Sequence, residues 1–172
     1  VKEERILQYL QSLEELRKKV NHGKESISTV EKYIKTDDGN LIFMHQWKVR
    51  KNENIKRIFI CQHGHNMHAD LFLPLIDYFA EDTMIFAIDN RGHGRSGPVR
   101  GNFNNYKQSL AVFDDLIETS KKHYPSVPIY LIGESLGSAL ILHYLSKNNS
   151  INKKVKGAIL ISPPILLSII KF

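Results

Sequence analysis

Hydrophobic and polar residues alternate along two stretches near the start of the chain, and short apolar runs follow further on. The alternating stretches, 29–35 and 41–49, flank Thr36-Asp37-Asp38-Gly39-Asn40, and an Asp-Gly pair in that setting predicts a β-hairpin. The later apolar runs predict strands over 55–61, 83–88, 128–132 and 155–161, and a helical spacing of apolar residues predicts helices over 69–80, 105–123 and 138–145. Strands that alternate with helices indicate an α/β fold, with a mostly parallel sheet, helices on both faces and an N-terminal antiparallel hairpin.

The first 20 residues carry a different pattern. Residues 2–20 have an apolar side chain at every third or fourth position, with glutamate, lysine and arginine between them. This spacing predicts an amphipathic helix that ends near Gly23. We expect it to pack on the domain or to make an antiparallel contact with a partner. The alternative is a helix on a membrane surface, which the mixed charge of its polar face disfavours. The apolar positions are Ile6, Leu10, Leu13, Leu16 and Val20.

A serine motif lies between the predicted strand 128–132 and the predicted helix 138–145. Gly133-Glu134-Ser135-Leu136-Gly137 matches the G-x-S-x-G turn that presents a nucleophilic serine above a sheet edge. Gly133 and Gly137 remove the side chains that would collide where the strand and the helix pass each other. The helix N-terminus beneath Ser135 favours developing negative charge. We therefore predict that Ser135 is a catalytic nucleophile.

An oxyanion hole has a candidate upstream. The predicted strand 55–61 runs into Gln62-His63-Gly64-His65, and a His-Gly turn after a buried strand is where hydrolases with this serine turn supply one donor. We expect the backbone N–H groups of His65 and Leu136 to form the hole, with Gly64 allowing close approach of the substrate carbonyl.

A third motif, Asp89-Asn90-Arg91-Gly92-His93-Gly94-Arg95-Ser96, lies between these two. In this order and spacing, the three motifs resemble the α/β-hydrolase superfamily, and most of all its monoglyceride lipase and lysophospholipase group. The resemblance covers residues 28–165. It implies a serine esterase that cleaves a monoacylglycerol or lysophospholipid through an acyl-enzyme, with no cofactor or metal. It also implies two parts of the chain, an N-terminal helical extension over 1–27 and the N-terminal part of a hydrolase domain over 28–172.

The sequence after Ser135 lacks the residues that would complete a catalytic triad. In the family, an acid and then a histidine follow the serine, but this segment contains no aspartate or glutamate and one histidine, His143. His143 falls on the predicted helix, where we expect it to be packed or solvated. We therefore expect a domain cut before its lid, its last strands and two catalytic residues, which a C-terminal segment must supply. The alternative is a non-catalytic binding or scaffold protein with the same fold.

Composition narrows the choice of partners and compartment. The formal net charge is +6, but the lysines are scattered, whereas nucleic-acid binding requires a concentrated basic face. We expect no nucleic acid and a small lipid ester as the substrate, with peripheral membrane contact as a further expectation. The single cysteine, Cys61, excludes an internal disulfide and indicates a reducing compartment. Without a signal-like N-terminus or an apolar run of about 18 residues, a cytoplasmic location is predicted.

Two other motifs compete with the serine esterase interpretation. His63, His65 and His68 have spacing that resembles part of the metallo-β-lactamase zinc motif, but Met67 stands where that family has an aspartate. The sequence 92–97 matches G-x-G-x-x-G, but it does not open a helix directly after a strand, as a dinucleotide site requires. We interpret 92–97 as a tight loop that Asp89 and Arg91 hold through hydrogen bonds. His45 and His123 are expected to be structural or surface residues.

Overall fold

The structure is a computed structural model that describes residues 27–49, 54–79, 81–97, 99–101, 106–147 and 153–164. The predicted helix over 2–20 lies outside these residues, so the proposed division between an extension over 1–27 and a domain over 28–172 stays a prediction.

Six strands and three α-helices account for most of the described chain. The strands are β1 (Ile27–Lys35), β2 (Leu41–Val49), β3 (Arg57–Gln62), β4 (Thr83–Ile88), β5 (Ile129–Glu134) and β6 (Val155–Ile161). The helices are a short 3₁₀ helix (Ala69–Phe72), α1 (Leu73–Phe79), α2 (Tyr106–His123) and α3 (Leu136–Lys147). Within the part of the chain described, no helix is long and apolar enough to cross a membrane.

The strands form one sheet in the order β1-β2-β4-β3-β5-β6. Strands β4, β3, β5 and β6 pair in parallel, whereas β2 pairs antiparallel with both β1 and β4. The predicted α/β fold is confirmed, with the antiparallel hairpin β1–β2 at one edge. The predicted hairpin turn is also present, because the N–H of Gly39 donates to the carbonyl of Thr36 at 2.8 Å.

Each face of the sheet carries its own hydrophobic core. Helices α2 and α3 bury Phe113, Ile117 and Ile141 on one face. The 3₁₀ helix and α1 bury Phe72 and Ile76 on the other. Apolar side chains alternate between the two faces along each strand, so the central strands are buried on both sides, as strands of a parallel sheet require.

The predicted helix 69–80 is not one continuous helix. It divides into the 3₁₀ helix Ala69–Phe72 and α1, Leu73–Phe79. Pro74 explains the break, because proline has no N–H to donate to the carbonyl of Asp70 and its ring would clash with that carbonyl in a continuous α-helix. Proline is well tolerated in the first turn of α1, where its N–H would lack a partner in any case.

Candidate active site

Two turns meet where β3 and β5 end in the middle of the sheet. The strands are parallel, and Gln62 at the end of β3 pairs with Gly133 of β5. The chain leaves β3 towards the face that carries α1 and leaves β5 towards the face that carries α3. Neighbouring strands that lead to opposite faces open a crevice at their carboxyl ends, which is the usual ligand site of α/β sheets. The turn 63–66 and Ser135 both lie at this crevice.

Ser135 forms the turn between β5 and α3 in a strained backbone conformation. Its φ is 47°, a left-handed value that costs a non-glycine residue about 1–3 kcal/mol. Its N–H donates to the carbonyl of Ile161 at the end of β6 (2.8 Å), and its carbonyl accepts from the N–H of Ala139 in α3 (3.2 Å). The strand, the turn and the helix predicted around Ser135 are present, and bonds to β6 and α3 hold the turn in place.

The two glycines of the motif are required by close backbone contacts. A Cβ added to Gly133 would lie 2.6 Å from the backbone nitrogen of Ser138, and one added to Gly137 would lie 2.0 Å from the carbonyl oxygen of Gln62. Ser138 ties the same crossing together, because its hydroxyl donates to the carbonyl of Gly133 at 2.8 Å. Helix α3 therefore packs directly on the backbones of both β5 and β3, as the glycine spacing predicted for the first of these contacts.

Gly64 brings the turn 63–66 against Ser135. A Cβ at Gly64 would lie 2.1 Å from Oε2 of Glu134 and 3.0 Å from Cβ of Ser135. A side chain at Gly64 would force the Glu134 carboxylate to move and would press on Ser135, so the serine turn favours glycine here, in addition to the predicted approach of a substrate. Oε2 of Glu134 is shielded from solvent and has no hydrogen-bond partner among the described residues.

His63 is fully buried and both of its ring nitrogens are engaged. Nε2 accepts from the N–H of Asn90 at 2.8 Å, so the proton resides on Nδ1, which donates to the carbonyl of Gly64 at 2.6 Å. Burial lowers the pKa of His63 to about 4, and the neighbouring His93 and His68 act in the same direction. This neutral imidazole has no free lone pair for a metal ion or for a substrate proton.

His65 and His68 each contact a residue other than His63. His65 is exposed, and its Nδ1 lies 3.3 Å from Nε2 of His93. Nδ1 of His68 lies 3.5 Å from Oδ2 of the buried Asp70. Within the described ranges, no three histidine, cysteine or acidic side chains are grouped so that they could hold a metal ion.

Asp89 organises the loop that follows β4. One carboxylate oxygen accepts from the N–H of Ala69 at 2.6 Å, and the other accepts from the N–H of Arg95 at 2.7 Å. Gly94 adopts φ 49°, and a Cβ there would lie 2.1 Å from the Asp89 carboxylate. The predicted role of Asp89 is present. The side chain of Arg91 pairs with Asp38 of the hairpin turn at 2.6 Å and fastens the loop to β1–β2, whereas its carbonyl accepts from Nδ1 of His93 within the loop at 2.9 Å.

Asn90 is a positioning residue that the sequence interpretation did not single out. Its side chain donates to the carbonyl of His63 at 2.7 Å and accepts from the amide of Gln62 at 2.8 Å. Together with the backbone bond to His63, these contacts fix the end of β3 against the end of β4. The available signal was a polar residue two positions after the buried strand β4.

The other histidines take structural or surface positions. His45 is buried on β2, with Nε2 2.8 Å from a carboxylate oxygen of Asp70. His123 lies exposed at the end of α2. His143 packs against the ring of Tyr106, with centroids 5.2 Å apart, and thus faces α2 instead of the crevice.

Comparisons with known proteins agree with this architecture. Residues 53–170 match the profile of the Hydrolase_4 family, described as serine aminopeptidase, S33. The chain is 29% identical to a monoglyceride lipase of Rattus norvegicus over 75% of its own length, and 27% identical to a monoacylglycerol lipase of Mycolicibacterium smegmatis over 51%. It spans only 41% and 31% of the length of those two relatives.

Solved structures show the same fold. A thermostable carboxyl esterase from Bacillus coagulans superposes with a TM-score of 0.63 at 20% identity, over 77% of this chain and 44% of the esterase. The family match covers most of the chain and includes the crevice, the strained serine turn and the loop held by Asp89. The chain therefore belongs to the Hydrolase_4 family of α/β hydrolases and, within it, to the monoglyceride lipase-like group.

Proposed function

We propose that this protein is a serine carboxylic ester hydrolase that cleaves a single-acyl-chain lipid, a monoacylglycerol or a lysophospholipid, through an acyl-enzyme at Ser135. The observation that carries the proposal is the strained turn of Ser135 at the crevice, pressed against the turn of Gly64. The names of the relatives, monoglyceride and monoacylglycerol lipase, support the substrate class.

In the proposed reaction, Oγ of Ser135 attacks the ester carbonyl while its proton passes to a general base. The tetrahedral intermediate expels the alcohol, which takes up that proton, and leaves the acyl group on Ser135. Water then attacks the acyl-enzyme with the same base, releasing the fatty acid and restoring the serine. This chemistry needs no metal or cofactor.

The oxyanion of each intermediate would be held by the N–H groups of His65 and Leu136. Gln62 and Gly133 are paired across β3 and β5, so both donors follow closely on the ends of neighbouring strands. Leu136 opens α3, and the free N–H groups of a helix N-terminus favour negative charge at that point. Loss of one such donor typically costs about 100- to 1,000-fold in kcat.

We assign the general base and its acid to a C-terminal part of the protein, because residues 136–172 contain no aspartate or glutamate and the chain spans only 41% of the rat monoglyceride lipase. His63 is excluded as the base because its ring nitrogens are both engaged, and His143 faces α2. We expect residues 1–172 alone to hydrolyse esters weakly, since only the oxyanion hole and substrate binding would remain. Adding the downstream segment, joined or as a separate chain, should restore activity. Full activity from a monomeric protein of residues 1–172 would contradict this assignment.

We also propose a cytoplasmic location, with peripheral contact to membranes that hold the substrate. The buried, unpaired thiol of Cys61 supports a reducing compartment.

The nucleophile is tested by labelling the full-length protein with a fluorophosphonate. We expect one labelled residue, Ser135, and loss of both labelling and monoacylglycerol hydrolysis in Ser135→Ala, by about 10⁶-fold if the base acts with it as a unit. Ser146→Ala, on the exposed side of the same helix, is the matched control and should behave like the wild type. Full-length protein that is neither labelled nor active would instead favour the non-catalytic binding protein.

A further inference from the structure

A chain of hydrogen bonds fixes the tautomer of His65, the residue that follows Gly64. Nδ1 of His93 lies 2.9 Å from the carbonyl oxygen of Arg91. A carbonyl only accepts, so Nδ1 of His93 carries the proton and, in the neutral ring, its Nε2 carries a lone pair. Nδ1 of His65 lies 3.3 Å from that Nε2 and must therefore donate to it. In neutral His65, the lone pair is then on Nε2.

The residue that carries this lone pair, His65, directly follows Gly64 in the turn at the crevice. His93 is buried, whereas His65 is exposed, and the two rings meet edge to face with centroids 5.1 Å apart. The ring contact and the hydrogen bond hold His65 by its Nδ1 side. Its neighbour Gly64 touches the Ser135 turn. His65, whose Nε2 is an oriented hydrogen-bond acceptor, is thus the residue directly after Gly64, which contacts the Ser135 turn.

We propose that His65 is a specificity-determining residue for the alcohol part of the substrate. Its Nε2 accepts a hydrogen bond from a free hydroxyl of the bound ester, so the protein favours monoesters of polyols over esters whose alcohol has no second hydroxyl. The proposal rests on the ester hydrolase function above and names the substrate class that this crevice selects.

The preference should be modest in size. A single hydrogen bond to a neutral group at an exposed site changes an equilibrium by about 2- to 12-fold. The much larger discrimination seen when a missing substrate hydroxyl leaves a buried group unpaired does not apply, because water can reach His65 when the hydroxyl is absent.

The test uses two substrates with the same acyl chain, glyceryl monodecanoate and propyl decanoate, which differ by the two hydroxyls. With full-length protein at pH 8, the wild type should have the higher kcat/KM for the glyceryl ester. His65→Ala should lower kcat/KM for the glyceryl ester about 2- to 12-fold more than for the propyl ester. His65→Gln, whose amide oxygen also accepts, should recover part of the preference. His123→Ala is the control at a distant exposed histidine.

If His65→Ala loses kcat/KM equally on both esters, so that the ratio of the two values is unchanged, the proposal is overturned and His65 is only a structural part of the turn. A protein that hydrolyses neither ester and is not labelled at Ser135 fails at the proposed function instead, and the inference fails with it. A readout independent of activity is the ¹⁵N spectrum of the histidines in the full-length protein. It should show both His65 and His93 protonated on Nδ1, and a proton on Nε2 of His65 would refute the inference.

Discussion

Replacing Gly137 by alanine tests the packing that positions Ser135. The added Cβ would lie 2.0 Å from the carbonyl oxygen of Gln62, 2.6 Å from its carbonyl carbon and 2.9 Å from the carbonyl oxygen of His63. All three atoms belong to the backbone of β3 and the turn after it, so no side chain can rotate away. Ordinary carbon–oxygen contacts are about 3.3 Å or longer, which means that α3 must move away from β3 by about 1.3 Å.

Two effects of opposite sign decide the stability of Gly137→Ala. Alanine favours a helix over glycine by up to about 1 kcal/mol. Overpacking of a well-packed site costs about 1–3 kcal/mol and more where the contact is rigid. The overlap with three backbone atoms puts this substitution at the severe end of that range. We therefore expect the free energy of unfolding to fall by at least about 2 kcal/mol and Tm to fall by about 4–8 °C. A shift of Ser135 by about 1 Å should also lower kcat/KM by about 100-fold.

The matched control for this prediction is Gly157→Ala in β6. Its added Cβ would meet only the side chain of Tyr130, at 3.6 Å, which is an ordinary contact, so Tm should stay equal or rise slightly. Thermal unfolding and monoacylglycerol hydrolysis of the full-length proteins would be compared side by side. A Gly137→Ala protein as stable as the wild type would refute the close contact between α3 and β3.

Two further predictions concern polar groups beside the crevice. Asp89→Asn should lower the free energy of unfolding by about 1–3 kcal/mol, because an amide NH₂ would face the N–H of Ala69 or of Arg95; Asp37→Asn in the exposed hairpin turn should change it little in the same urea titration. Below pH 6.5 the unfolded protein binds a proton at His63, whereas the folded protein, with a pKa of about 4, does not. Stability should therefore fall between pH 6.5 and 4 by up to about 3 kcal/mol, and a His63→Gln variant that kept the same pH dependence would contradict this assignment.

Local chemistry and periodicity were enough to predict most of the framework. The Asp-Gly pair and its alternating flanks predicted the hairpin, and β2 spans the predicted residues 41–49. The ends of β5 and α3 were less predictable, because they depend on pairing with β6. Strand β5 continues to Glu134, which pairs with Ile161, and α3 already begins at Leu136. The sequence around Ser135 contains no sign of where β6 ends.

The tight contacts of the crevice were only partly predictable. The spacing of Gly133 and Gly137 indicated a close crossing of a strand and a helix, but the most severe contact of Gly137 is with β3. That contact arises because the sheet order puts β3 beside β5, which the motif alone does not encode. The resemblance of the three motifs to a known family was the sequence information that implied this arrangement.

The histidines show most clearly why the roles of side chains could not be predicted without the structure. His63 and His65 are two residues apart and equally suited by type to bind a metal, to act as a base or to bind substrate. His63 is the buried one, and its lone pair is taken by the N–H of Asn90, which lies 27 positions later in the chain. His65 points to solvent and is oriented by His93, 28 positions away. Both partners come from the loop after β4, and they meet the turn only because β4 pairs with β3. The same pairing that removes His63 from the chemistry therefore orients the lone pair of His65, one residue after the contact of Gly64 with the Ser135 turn.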